Sequence, residues 1–141
     1  MATDRNHATR RAEAEVTRVR LDHIMLKVTD IDAAAAFYAG VLGAERVDLD
    51  YGRVGLRVGG IQINLHGPSS TPHPLPAHVP DPGGADLCFA WDGSAESARD
   101  HVREHGLEPV LGPVPRTGAQ GPGTSVYFRD PDGNLLELIA Y

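Results

Sequence analysis

Cysteine is nearly absent: Cys88 alone, in 141 residues, excludes a disulfide within the chain. Its neighbours Leu87 and Phe89 predict a packed strand position and a buried, inert thiol in preference to a nucleophile. No apolar run approaches the roughly 20 residues that span a bilayer. Residues 1–15 carry charges in place of an apolar leader, so a soluble, cytoplasmic protein with no membrane partner is expected. Positive charge is also short, with 13 Lys and Arg against 19 Asp and Glu. The formal net charge of -6 lacks the footprint that phosphate backbones require, which argues against a nucleic-acid partner. No Gly-x-Ser-x-Gly occurs, so serine-triad hydrolysis through a nucleophile elbow has no support. Aromatic residues make up only 6% of a chain that is 41% hydrophobic, leaving a mainly aliphatic core of a size suited to one domain.

What is present reads as two similar halves. Residues 1–18 combine small and charged types and are expected to form a disordered or frayed tail. Around Leu21 to Val28 both faces are largely apolar, which predicts a central strand. Asp30 caps a helix with Ile31, Ala34, Ala35, Tyr38 and Leu42 at helical spacing, and Gly43 is placed to end it. Three strands follow, Glu45 to Asp50, Arg53 to Val58 and Ile61 to His66, joined by Tyr51-Gly52 and Gly59-Gly60. Residues 67–84 hold six prolines and three glycines and read as a linker. The pattern then restarts: a strand over Asp86 to Asp92, a helix over Ser94 to His105 stopped by Gly106, and a strand over Glu108 to Leu111. A flexible glycine-rich loop over Gly112 to Gly123, of the kind that serves as a lid, leads to strands at Thr124 to Arg129 and Asn134 to Tyr141.

The halves are in register. Gly43 and Gly106 lie 63 positions apart, as do His23 and Asp86. Beyond the helices the offset becomes 73, which matches Gly60 with Gly133 and Asn64 with Glu137. The expected architecture is therefore α+β: a domain over residues 19–141 made of two β-α-β-β-β modules, 19–66 and 85–141. A lone module leaves a sheet face uncovered, so two must pack together, within the chain or across a dimer.

The segments LDHIMLKVTDIDAAAAFYAGVLGAE, INLH, ADLCFAW, GPVPRTG and SVYFRDPDGNLLEL carry a resemblance to the vicinal oxygen chelate superfamily. That superfamily includes glyoxalase I, fosfomycin and bleomycin resistance proteins and extradiol dioxygenases. Among them the chain looks most like the short glyoxalase-domain proteins, over about Val19 to Tyr141. The resemblance implies paired modules around a U-shaped cleft, a homodimer, and a divalent metal held by residues of the first and last strands of each module. Those positions fall on His23, on Asn64 or His66, on Asp86 and on Glu137. Imidazole and carboxylate suit Zn, Ni, Co, Mn or Fe without distinguishing them. Asp86 stands where many relatives have histidine, and His66 is preferred to the neutral amide of Asn64, which shares its strand face.

The implied activity is that of a glyoxalase-like lyase or isomerase, in which the metal chelates vicinal oxygens of a small substrate. Glu137 where it swings off the metal, or Asp86 where it never binds the metal, moves the proton. Arg116 offers a guanidinium fork to a carboxylate or phosphonate of the substrate. One alternative is a metal-free protein that binds an antibiotic or other small drug; a second is an extradiol-type dioxygenase. Any one of these polar residues alone has a structural explanation. Four at matched positions on apolar strands are costly to bury without a shared purpose. His7, His73, His78, His101 and His105 are expected to be solvated, and Tyr51, Trp91 and Tyr127 to serve the core or the cavity wall.

Overall fold

The computed structural model describes residues 18–70 and 72–141; the expected tail and His7 lie outside the described residues apart from Arg18. The first half forms β1 (His23–Lys27), α1 (Ile31–Leu42), β2 (Glu45–Asp48), β3 (Val54–Val58) and β4 (Ile61–His66). The second forms β5 (Asp86–Ala90), α2 (Ala95–Glu104), β6 (Leu111–Gly118), β7 (Gly121–Arg129) and β8 (Leu135–Ala140). Local chemistry sets the helix ends as expected. Asp30 accepts from the Ala33 amide, Ser94 from the Ser97 amide, and Gly43 closes α1 at φ 65°, a conformation that costs glycine little.

Each half is a four-stranded mixed sheet, ordered β1-β4-β3-β2 and β5-β8-β7-β6. The repeat survives at the level of pairing. His23 lies opposite Gln62 in the parallel β1–β4 ladder and Asp86 opposite Leu135 in β5–β8, so the offsets of 63 and 73 hold strand by strand. The chain therefore has the two-module, glyoxalase-like architecture that its sequence predicts.

One core joins the modules. Leu26, Val28, Ile63 and Leu65 of the first sheet and Val126, Phe128, Leu136 and Leu138 of the second belong to a single buried cluster, with α1 and α2 packed into it. Polar clamps reinforce the junction. Tyr38 of α1 donates to Asp130 in the β7–β8 turn at 2.7 Å, and the Thr29 hydroxyl donates to Asp132 at 2.6 Å. Asp130 is buried and also accepts from the Asn134 amide, the Asn134 side chain and the Asp132 amide. Burial, then the bond to Asp130, pushes the Tyr38 phenol well above its ordinary range, so it remains a donor.

Three expectations are corrected. The first strand is not central: β1 lies at the edge of its sheet. Its apolar character arises because Ile24 and Leu26 face the core while Leu21 and Ile24 border a cavity at the seam with β5. Residues 112–123 form no flexible loop. They belong to the long β6–β7 hairpin, and no strand covers 108–110. Pro113 and Pro115 are tolerated because β6 is an outer strand, and a register shift lies between Leu111 and Val114. The glycines are there for close approach. A Cβ on Gly123 would lie 2.8 Å from the Ala140 carbonyl oxygen, and one on Gly118 would strike the Tyr141 hydroxyl.

Candidate functional site

The face of each sheet turned away from the helices carries the polar residues, and the ladders fix which of them stand side by side. On the second sheet Cys88, Glu137 and Tyr127 form one cross-strand row. Asp86 lies two residues along β5 from Cys88, on the same face. Cys88 is thus exposed, not buried as its neighbours suggested, because Leu87 and Phe89 take the inward positions of an alternating strand. Partial loss of water around the thiol against the sheet, then the charge of Glu137, pushes the Cys88 pKa up to about 11.

Glu137 is held in place. The hydroxyl of Ser125, a fully buried side chain on β7, donates to Oε2 of Glu137 at 2.5 Å, and the Cys88 thiol lies in the same cross-strand row. Ser125 was not singled out from the sequence. The available signal was a lone hydroxyl on an apolar strand, two residues before Tyr127 and so diagonal to Glu137 once the strands are paired. Beyond Tyr127 stands Arg116. Its Nε donates to the Tyr127 hydroxyl at 3.0 Å, its Nη1 to the Pro115 carbonyl at 2.8 Å, and its guanidinium carbon lies 5.4 Å from the ring centroid. Two of its five N–H donors are engaged, and the residue is exposed.

The first sheet presents three comparable rows: His23–Gln62–Arg57, Met25–Asn64–Gly55, and Lys27–His66 followed by Arg53, the residue before the Val54–Leu65 pair. His23 is exposed, and its Nδ1 donates to the Asp22 carboxylate at 2.7 Å. The Asn64 carbonyl accepts from the Gln62 amide at 2.8 Å. His66 shares the Asn64 face, as expected, but it lies opposite Lys27, four residues along β1 from His23. At about 3.3 Å per residue the two imidazoles are separated by roughly 13 Å along the strands. Strand side chains stand nearly perpendicular to the sheet, and ligand atoms lie about 2 Å from a metal, so His23 and His66 of one sheet do not serve the same ion. The surroundings of His66 also oppose a cation: burial, then Lys27 and then Arg53, holds its pKa below the ordinary histidine range.

Among the described residues no three His, Cys, Asp or Glu side chains converge in metal-holding geometry. His23 with Asn64, and Asp86 with Glu137, occupy equivalent places on two sheets that one chain does not bring together. One other histidine departs from expectation. His101 is half-buried: its Nε2 donates to the Val41 carbonyl at 2.6 Å, and its ring stacks between Trp91 at 4.8 Å and His105 at 4.5 Å. It binds α2 to the end of α1. Nearby, a cavity of about 860 Å³ opens between the modules, walled by Ile24, Val41, Ile63, Leu87, Phe89 and Trp91.

Residues 20–138 match the family model of the glyoxalase/bleomycin resistance protein/dioxygenase superfamily, and the chain belongs to that superfamily. It is 43% identical over 131 residues to the glyoxalase domain-containing protein RDO1 of Mycosarcoma maydis, covering 93% of this chain and 73% of the relative. It is 42% identical over 122 residues to virulence protein STM3117 of Salmonella typhimurium, covering 86% and 84%. Among solved structures, an integron cassette protein of Vibrio cholerae superposes with a TM-score of 0.81 at 44% identity, covering 89% of this chain and 98% of that one. More distant relatives bear names as different as biphenyl-2,3-diol 1,2-dioxygenase, ethylmalonyl-CoA/methylmalonyl-CoA epimerase and lactoylglutathione lyase, so membership defines the fold and not one reaction. No helix among the described residues is long and apolar enough to cross a membrane.

Proposed function

We propose that the chain is a metal-dependent lyase or isomerase of this superfamily, acting on a small substrate that presents two adjacent oxygens. The observation that carries the reading is the row Cys88–Glu137–Tyr127, with the Glu137 carboxylate fixed by buried Ser125 and with Arg116 over Tyr127. A reactive carboxylate set on a rigid strand beside a cation is the arrangement that proton transfer on an anionic or polarised substrate requires.

Asp86 and Glu137 supply two oxygen donors, and the third ligand is His23 from the equivalent place on the first sheet of a second copy. This ligand set suits a borderline divalent ion of the Mn-to-Zn series, and such an ion supplies Lewis acidity toward the substrate oxygens. Glu137, swung off the ion, takes the proton from the carbon beside the carbonyl and returns it on the neighbouring position, while Arg116 holds an anionic substituent with its unengaged N–H groups. The test is hydrogen–deuterium exchange on the carbon acid of hydroxy-ketone and hemithioacetal substrates, followed by NMR in deuterated buffer with each candidate metal. Exchange that falls 100-fold or more in Glu137→Gln, in line with the roughly 10²–10⁴-fold worth of a positioned base, is expected. Exchange unaffected by that change would contradict the assignment.

A second reading, sequestration of a small drug without turnover, is favoured by one feature: the inter-module cavity of about 860 Å³ with mostly apolar walls, within the size range of small-molecule sites. Binding of an apolar drug that survives His23→Ala and Glu137→Gln together would support it. An extradiol-type dioxygenase would instead consume oxygen on a catechol with iron bound.

A further inference from the structure

We propose that the open face of the first sheet holds a binding site for the oxyanionic end of a small ligand, a carboxylate or phosphoryl group, built by Lys27, His66 and Arg53. The three residues form one cross-strand row over β1, β4 and the start of β3. Neighbouring strands lie about 4.8 Å apart, so the outer members of the row stand roughly 10 Å from each other, the right span to take one oxyanion between them. Lys27 and Arg53 are each anchored through a single atom, which leaves their remaining donors unengaged. Lys27 Nζ donates to the Gly67 carbonyl at 3.1 Å, and Arg53 Nε donates to the Asp50 carbonyl at 3.0 Å.

No acidic partner neutralises the row. Among the described residues neither Lys27 nor Arg53 takes part in an ion pair, whereas the nearby Asp48 is engaged by Arg46. Lys27 and the His66 imidazole are half-buried side by side, with the Arg53 guanidinium exposed at the end of the row, and a partly buried ammonium with no carboxylate partner is stabilised by a shared anion. A guanidinium and an ammonium around one imidazole form a donor set for phosphoryl or carboxylate oxygens. His23 lies on the same face, two rows away. Where that residue serves a metal, which rests on the function proposed above, the ligand carries its anionic end about 13 Å from its chelating end.

The site itself is tested on the metal-free, full-length chain by NMR titration with sodium phosphate and, separately, with sodium succinate. Ionic strength is held constant with chloride. Saturable shifts of the Lys27, Arg53, His66 and Gly67 amides are expected, with affinity at least fivefold weaker in Lys27→Gln and in Arg53→Gln. Lys27→Arg and Arg53→Lys, which keep the charge, are expected to retain binding, and Glu137→Gln to leave it unchanged. Tighter phosphate binding assigns a phosphoryl group and tighter succinate binding a carboxylate. Shifts that never saturate, or affinities equal in the wild type and the two glutamine variants, would overturn the proposal. Loss of proton exchange with anion binding intact would count against the lyase or isomerase reading alone, and the reverse pattern against the anion site alone.

Discussion

Glu137 owes its position to Ser125, a buried hydroxyl 2.5 Å from Oε2. Residues that orient a ligand typically contribute 10- to 100-fold in metal affinity. Ser125→Ala is accordingly expected to weaken metal binding by about 10- to 100-fold, with Ser125→Thr restoring part of it; calorimetric titration with Mn or Zn measures both. Cys88 gives a pH-dependent readout of the same cluster. Its pKa of about 11 lies above the ordinary thiol value near 8.5, so alkylation by iodoacetamide rises only as the pH approaches 11. The sign for stability follows. The folded state holds this proton longer than the unfolded chain, so its contribution is complete below the unfolded value and is lost as the pH rises toward 11. Because the Glu137 charge is one cause of the raised value, Glu137→Gln is expected to move the alkylation midpoint to lower pH. Residue identity was the least legible scale. Asp86, Glu137 and Arg116 could be named from spacing and resemblance. The row of Lys27, His66 and Arg53 exists only once three strands are paired, and the distance between His23 and His66 is invisible until the ladder is known.

At the scale of elements the sequence was read most successfully where short-range chemistry decides. Caps at Asp30 and Ser94 and the stop at Gly43 are local and appear as expected, whereas the alternation in β5 leaves Cys88 exposed where its neighbours suggested burial. The reading failed over 112–123, where glycine and proline usually signal mobility and here signal packing. Gly118 and Gly123 lie under Tyr141 and Ile139 at the C-terminal edge of the second sheet, a long-range fact that composition does not carry. Two substitutions separate these meanings. Gly123→Ala forces a methyl to within 2.8 Å of the Ala140 carbonyl and is expected to destabilise by about 1–3 kcal/mol. Gly40→Ala, inside α1 with open space around the new methyl, is expected to stabilise by about 0.5–1 kcal/mol. Urea denaturation of both proteins checks the pair.

For the whole molecule the modules are held by one core and by a buried polar junction, so they should unfold together. Tyr38→Phe leaves the buried Asp130 carboxylate short of one donor, and a loss of about 1–3 kcal/mol in a single, still cooperative transition is expected. Two separate transitions would show that the modules are independent. The same architecture keeps His23 from converging with Asp86 and Glu137 among the described residues. The helices pack on one face of each sheet, and in the function proposed above a second copy joins the faces that carry His23 and Glu137. The most direct test of that account is the metal content of the wild type, of His23→Ala, of Glu137→Ala, and of the two variants unfolded and refolded together. Near-stoichiometric metal in the wild type, loss in each variant, and partial recovery in the mixture are expected, because a mixed dimer contains one intact site. Metal retained by both single variants, or none in the wild type, would contradict a shared metal site.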